Sequence, residues 1–224
     1  MISENKLKSV KSNIINKHGC GGNVCQECAV KFALIDKYAE CNIPVGYWFL
    51  NMSKFFGSSK VKEVINAYIE NLEQNYLDGT SICLAGNQGT GKTMSSICIL
   101  KAGIKSGKTA HYTTASDILN TMTTREGVVL SSTLRKVDFL VIDELDSRFF
   151  PSDSAKELFS GIYENIFRFR VHNTLPTILC TNETDELLNV FYGPGVYAIK
   201  SLNAQYLKIY PVVGKDFRSS QGGI

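Results

Sequence analysis

The chain has 224 residues, 44% of them hydrophobic, 20% charged and 10% aromatic, with 18 glycines and 5 prolines. That is length for one full domain and a small appendage, with apolar residues enough for a core, so disorder as the main state and collagen-like or low-complexity chains are excluded. A net charge of +3, with the signs mixed, permits nucleic acid as a partner without arguing for it.

No stretch approaches 18 apolar residues, and the opening MISENKLKSVKSNIINKHG has no apolar h-region. Neither a membrane span nor a secretory signal is expected. Of seven cysteines, Cys20, Cys25, Cys28 and Cys41 crowd together, while Cys83, Cys98 and Cys180 sit singly in apolar segments. That spacing is not a disulfide framework, and it predicts a reducing, cytoplasmic setting.

Leu7, Val10, Ile14 and Ile15 fall at helical spacing within 1–17, and 29–40 fits a helix of about three turns. Pro44 and Gly46 break the pattern. Residues 61–77 carry one apolar stripe (Val61, Val64, Ile65, Tyr68, Ile69, Leu72), ended by Asp78-Gly79. Then strands and helices alternate: strand 81–85, helix 92–107, strand 109–115, and a helix from Ser116 as N-cap. Strand 137–143, helix 152–171, strand 177–182 and a β-like run at 206–213 complete the series. Alternation of this kind predicts an α/β fold with a parallel sheet between helices.

Between the first strand and its helix lies Gly86-Asn87-Gln88-Gly89-Thr90-Gly91-Lys92-Thr93, a full match to G-x-x-x-x-G-K-[ST]. Its glycines let backbone N–H groups turn around a β-phosphate at a helix N-terminus. Lys92 reaches the β- and γ-oxygens and the Thr93 hydroxyl holds Mg²⁺, so ATP or ADP with Mg²⁺ is the expected ligand. Asp143 ends a buried strand, where it holds Mg²⁺ through a water, and Glu144 beside it polarises an attacking water. Asn182 ends the next strand, placed for the γ-phosphate or that water.

These stretches resemble AAA+ P-loop ATPases, and more closely the DnaC-type replicative helicase loaders with their IstB-type transposition-helper relatives. The matching segments are YAECNIPVGYW, GNQGTGKT, HYTTASDIL, LRKVDFLVIDELD and LPTILCTNETDEL, spanning about residues 38 to 190. The resemblance implies an ATP-driven switch that forms homo-oligomers and handles a ring-shaped hexameric replicative helicase on single-stranded DNA, away from any membrane. It also implies arginines after the sensor strand, but YGPGVYAIKSLNAQ has Lys200 as its only cation, and a lysine lacks the guanidinium fork. Arg168 and Arg170 are the candidates for a cation lent across a subunit boundary, against a plain role at a helix C-terminus.

His18, Cys20, Cys25 and Cys28 have the residue types and C-x2-C spacing of a zinc knuckle, with Gly19, Gly21 and Gly22 supplying a tight backbone. Cys41 is the alternative fourth ligand, but a helix over 29–40 puts it roughly 18 Å beyond Cys28, which favours His18. In the loader family such a module contacts the helicase. The FRFRVH run (167–172) mixes aromatics and arginines as a single-strand-binding surface does, but its spacing also suits core packing, and Arg135, Lys136, Lys208, Lys215 and Arg218 read as a solvated face. Tyr47, Trp48, Phe49, Phe55 and Phe56 read as packing of the linker onto the ATPase core.

The expected organisation is a helicase-interaction module with the zinc site over 1–45, a linker over 46–60 and an AAA+ domain over 61–224 with little or no C-terminal lid. The expected function is an ATPase that loads the replicative helicase. Alternatives are the transposition helper, a P-loop kinase, and a nucleotide-binding adaptor that barely hydrolyses ATP. The Asp-Glu pair and Asn182 stand against the kinase, and the missing arginines keep the adaptor open.

Overall fold

In a computed structural model of the chain, residues 3–20, 24–55, 57–122, 124, 126–182, 191, 193 and 196–214 are described. They form two compact units, 1–49 and 50–224. No helix among the described residues is long and apolar enough to cross a membrane.

The N-terminal unit is a helix pair. Helix α1 (Glu4–His18) starts where the Ser3 Oγ accepts the Lys6 N–H and stops at Gly19, which takes the left-handed φ of 70°. Helix α2 (Gln26–Glu40) follows, with Cys25 at its N-cap position. A Lys11–Asp36 ion pair ties the two helices at 2.6 Å. Val10, Cys28, Ile35, Tyr38, Ile43 and Trp48 are its buried apolar side chains, and the Trp48 indole donates to the Ile43 carbonyl at 2.8 Å.

The larger unit starts with α3 (Ser59–Glu70) and α4 (Leu72–Leu77) where one helix was expected. Asn71 is the break, at φ −101° and ψ 29°, and its side-chain amide donates to the Ala67 carbonyl in competition with the helix ladder. Five strands form the sheet: β1 (Ser81–Ala85), β2 (Ala110–Thr114), β3 (Phe139–Leu145), β4 (Thr177–Thr181) and β5 (Leu207–Pro211). Their order is β2-β3-β4-β1-β5, with every pairing parallel. The middle strands β1, β3 and β4 are apolar nearly throughout, as strands covered on both faces must be. Pro211 is tolerated because β5 is an edge strand.

Helices α5 (Lys92–Lys105), α6 (Ala115–Met122), α7 (Gly127–Lys136), α8 (Asp153–His172) and α9 (Val196–Tyr206) complete the described elements. Helices α7 and α9 have no counterpart in the sequence pattern. The cap of α6 is Thr114, whose Oγ1 accepts the Asp117 N–H at 3.0 Å; Ser116, the expected cap, already lies inside the helix. One core cluster joins the sheet to α6, α8 and α9 through Ile118, Phe159, Tyr163, Phe167 and Ile199.

Candidate nucleotide site

The site lies at the C-terminal edge of the sheet, where β1, β3 and β4 end together. After β1, the loop 86–91 turns into α5, with Gly89 at φ 73° and Gly91 at φ 92°. Two glycines are obligatory here on contact grounds. A Cβ on Gly86 would lie 2.1 Å from the Val212 carbonyl oxygen, and one on Gly91 would lie 2.5 Å from the Phe55 ring. The Thr90 hydroxyl closes the loop onto the Asn87 carbonyl at 2.8 Å. Asn87 and Gln88 are exposed, while Lys92 is buried with its ammonium donating to the carbonyls of Gly86 and Asn87, each at 2.7 Å. Thr93 is half-buried in the first turn of α5.

Across the edge, β3 is irregular. Ile142 pairs with Leu179 but Leu145 with Thr181, so β3 carries one residue more than β4 over this step. Glu144 absorbs it at φ 55°, a left-handed conformation unusual for a non-glycine residue. The kink leaves Asp143 buried and Glu144 exposed. Partial burial, then Asp143 and Asp117, raise the Glu144 carboxyl above the ordinary range, as suits a proton acceptor. Asp143 Oδ1 accepts the Glu144 N–H at 2.8 Å and its Oδ2 accepts the Tyr112 hydroxyl at 3.0 Å. A buried carboxylate at the end of β3 and a threonine hydroxyl in the first turn of α5 are hard oxygen donors of the kind that fit Mg²⁺.

Asn182 follows β4, and its Nδ2 donates to Asp146 Oδ2 at 3.0 Å. Asp146 is fully buried and also binds the Arg148 guanidinium, whose side chain is 64% exposed. Those bonds from Arg148, opposed by burial and aided by Asn182, hold Asp146 below the usual carboxylate range. Asp146, Arg148 and Tyr112 carry no motif signal in the sequence; Asp146 lies six positions before Ser152, the N-cap of α8. Lys200 lies half-buried in α9. Residues 183–187 of the sensor segment, Tyr192, Pro194, Gly195, Phe56, Lys215 and Arg218 lie outside the described residues.

Arg170 is not available to a neighbouring subunit. It is 0% exposed, and its guanidinium donates to Thr177 Oγ1 and to the carbonyls of Leu134, Val137, Asp138 and Pro176. It closes the C-terminal end of α7 from inside the core, so the expectation of a trans cation at this position is corrected. Burial pulls it down to about 9, still charged at neutral pH. In the same run Phe167 is core, Arg168 pairs with Glu164 at 2.6 Å, and Phe169 lies under the Arg135 guanidinium at 4.2 Å. Phe55 packs on the phosphate loop, and the Trp48 indole donates to the Ile43 carbonyl of its own unit.

In that unit, His18, Cys20, Cys25 and Cys28 place one ligand atom each within 4.8 Å of one another. Cys20 Sγ lies 3.4 Å from Cys25 Sγ and 3.6 Å from Cys28 Sγ, and His18 Nδ1 lies 3.1 Å from Cys20 Sγ. Tetrahedral Zn²⁺ with Zn–S bonds of about 2.3 Å gives edges of about 3.8 Å, so the cluster needs little adjustment. Burial, then the neighbouring sulfurs, push the Cys28 thiol up to about 12, whereas the His18 hydrogen bond lowers that of Cys20 to about 7. Cys41 caps the opposite end of α2 and is outside the cluster. His18 Nε2 meets Glu27 Oε2 at 3.0 Å, and Glu27 in turn binds Lys31 at 2.6 Å.

The sequence model of the IstB-like ATP binding protein family matches residues 66–184, more than half of the chain. The chain belongs to this family. No curated protein matches it in sequence. Among solved structures, DnaI aligns with a TM-score of 0.64 at 15% identity, over 78% of this chain and 93% of that one. The DnaC helicase loader aligns at 0.56 and 20% identity, over 76% of this chain and 100% of that one. Replication initiator DnaA bound to AMPPCP and single-stranded DNA aligns at 0.60 and 19% identity over 77% of this chain, which spans 51% of that one. At these identities the likeness is one of fold, and the family to which the chain belongs is one of ATP binders.

Proposed function

We propose that this IstB-like chain is a cytoplasmic ATPase that loads a replicative DNA helicase, switching between nucleotide states as it handles the helicase ring and single-stranded DNA. The observation that carries the reading is the joint placement of phosphate loop, Asp143–Glu144 kink and Asn182 at one sheet edge, in a fold shared with a DnaC helicase loader over that chain's whole length. We assign 1–45 as the helicase-contacting module, 46–60 as linker and 61–224 as the ATPase.

Backbone amides of 87–93 cradle the β-phosphate, and Lys92 moves from its two loop carbonyls to the β- and γ-oxygens. Thr93 and Asp143 would hold Mg²⁺, whose charge offsets that developing on the phosphoryl oxygens. Glu144, already inclined to protonate, takes the proton of the attacking water. Asn182 has its Nδ2 engaged by Asp146, so its Oδ1 is the atom that accepts from that water. In a homo-oligomer, Lys200 supplies the charge that post-sensor arginines supply elsewhere, less well for lack of a fork. In the first unit, His18, Cys20, Cys25 and Cys28 would hold Zn²⁺, which would fasten the end of α1 to the start of α2.

The test is co-purification with the replicative helicase, with and without ATP, alongside phosphate release. Helicase capture and release stimulated by helicase or single-stranded DNA support loading. Phosphate transferred to an acceptor makes the protein a kinase, and ATP binding without turnover makes it an adaptor. The IstB-like family match favours one second reading, a transposition helper, which capture of a transposase in place of the helicase would select.

A further inference from the structure

The paired carboxylates are braced from a neighbouring strand by a group that belongs to no nucleotide motif. Tyr112 is the middle residue of β2, 7% exposed, and its register partner on β3 is Val141. Its hydroxyl reaches along the sheet to Asp143 Oδ2 at 3.0 Å. The other oxygen, Oδ1, accepts the backbone N–H of Glu144 at 2.8 Å, the residue that carries the left-handed φ of 55°. Both carboxylate oxygens are therefore engaged, one by β2 and one by the kink. A carboxylate held at a single oxygen can turn about its last bond, and a turn here breaks the bond to the Glu144 amide.

We propose that Tyr112 is a positioning residue for ATP hydrolysis: its hydroxyl locks the Asp143 carboxylate, which in turn holds the Glu144 kink that aims the general base out of the strand. The inference deepens the reading of Asp143 as magnesium holder and Glu144 as base, and rests on it. A bulge next to an active site re-aims a side chain, and this one lacks the glycine that would make it free of strain, so it needs a brace. The phenol suits the task. Its hydroxyl donates to Oδ2 at 3.0 Å while its buried ring is held by the surrounding packing, so the carboxylate is gripped from a fixed frame.

The test is Tyr112→Phe in the full chain, which removes one oxygen and keeps the packed ring. Nucleotide affinity in chelator is expected to stay within about twofold of wild type, because the phosphate loop is untouched. Turnover is expected to fall about tenfold or more, the loss typical of a hydrogen bond to a charged group. The Mg²⁺ concentration for half-maximal turnover should rise, and so should the Kd for Mn²⁺ read by its electron spin resonance in the nucleotide complex. Full turnover and unchanged metal dependence in Tyr112→Phe, with both lost in Asp143→Ala, overturn the brace and leave the magnesium reading standing. Unchanged metal dependence in Asp143→Ala overturns both. Reduced turnover with unchanged metal dependence and a lowered unfolding midpoint assigns Tyr112 to packing and overturns the brace as well.

Discussion

Residues 1–49 bury six apolar side chains among the described residues and have no strand, whereas residues 50–224 bury a continuous core on both faces of a five-stranded sheet. Each unit carries a cluster of charged or ionisable groups, and the two clusters are positioned differently. The oxygen donors at the nucleotide site hang from strand ends that parallel pairing already fixes. Three of the four sulfur and nitrogen donors sit at helix ends, on the last residue of α1, at the N-cap of α2 and in its first turn, where backbone frays most readily, and Cys20 lies just past the C-cap of α1. A unit this small draws little stability from its own core, so zinc on the proposed site would become part of its fold.

Metal removal should separate the units most sharply. Structural zinc contributes on the order of 10 kcal/mol or more to folding of a small domain. A strong chelator is expected to abolish hydrogen-exchange protection in α1 and α2 and leave that of the sheet unchanged. Protection lost in both units, or in neither, breaks the contrast.

The next largest effect belongs to Arg170. Its loss removes the guanidinium donor from the carbonyls of Leu134, Val137, Asp138 and Pro176. Arg170→Met should cost about 3–5 kcal/mol in urea unfolding, the range for breaking a buried charge from its partners. ATP-dependent self-association of the molecules that remain folded should be unaltered; a selective loss of association would return Arg170 to a subunit boundary.

Smaller again is the brace on His18. Glu27 accepts from Nε2 and leaves Nδ1 to face the sulfurs, and outer-shell partners of this kind change metal affinity about 10- to 100-fold. Glu27→Ala should weaken zinc by that factor in competition with a chromogenic chelator, and Glu27→Gln, which keeps an acceptor oxygen, should restore most of it. Equal affinities in all three proteins would remove the brace.

The smallest effect is on pH dependence. Glu144 must be ionised to accept a proton, and its carboxyl is raised by burial, Asp143 and Asp117. Turnover is thus present above that raised value and falls as pH drops through it, beginning nearer neutrality than for an ordinary glutamate. Asp117→Asn, which removes one of the raising charges, should move the acid limb of kcat to lower pH; an unmoved limb would place the controlling group elsewhere.

The strands, the phosphate loop and the acid pair were legible because each is written in consecutive residues: an apolar run, then glycines, then a helix start. That the sheet is parallel and lies between helices followed from alternation alone. Helix α7 was not legible, since it opens on Gly127, whose tight contact with Met122 only the fold creates. Helix α9 hides behind the Gly and Pro of 193–195. The division at Asn71 depends on a side chain folding back on Ala67, a choice that composition does not reveal. At the site, what escaped was long in sequence and short in space. Tyr112 meets Asp143 across 31 positions, Asn182 meets Asp146 across 36, and Arg170 finds carbonyls 32 to 36 positions away. Spacing shows which residues share a loop or a helix face; it does not show which strands lie side by side.

Phosphate release from ATP by the wild-type protein and by Glu144→Gln, assayed side by side with nucleotide affinity, bears most directly on the role given to the sheet edge. The variant is expected to bind ATP as tightly as wild type and to release phosphate at least about a hundredfold more slowly, the range for losing a positioned base. Equal release from both proteins would contradict it.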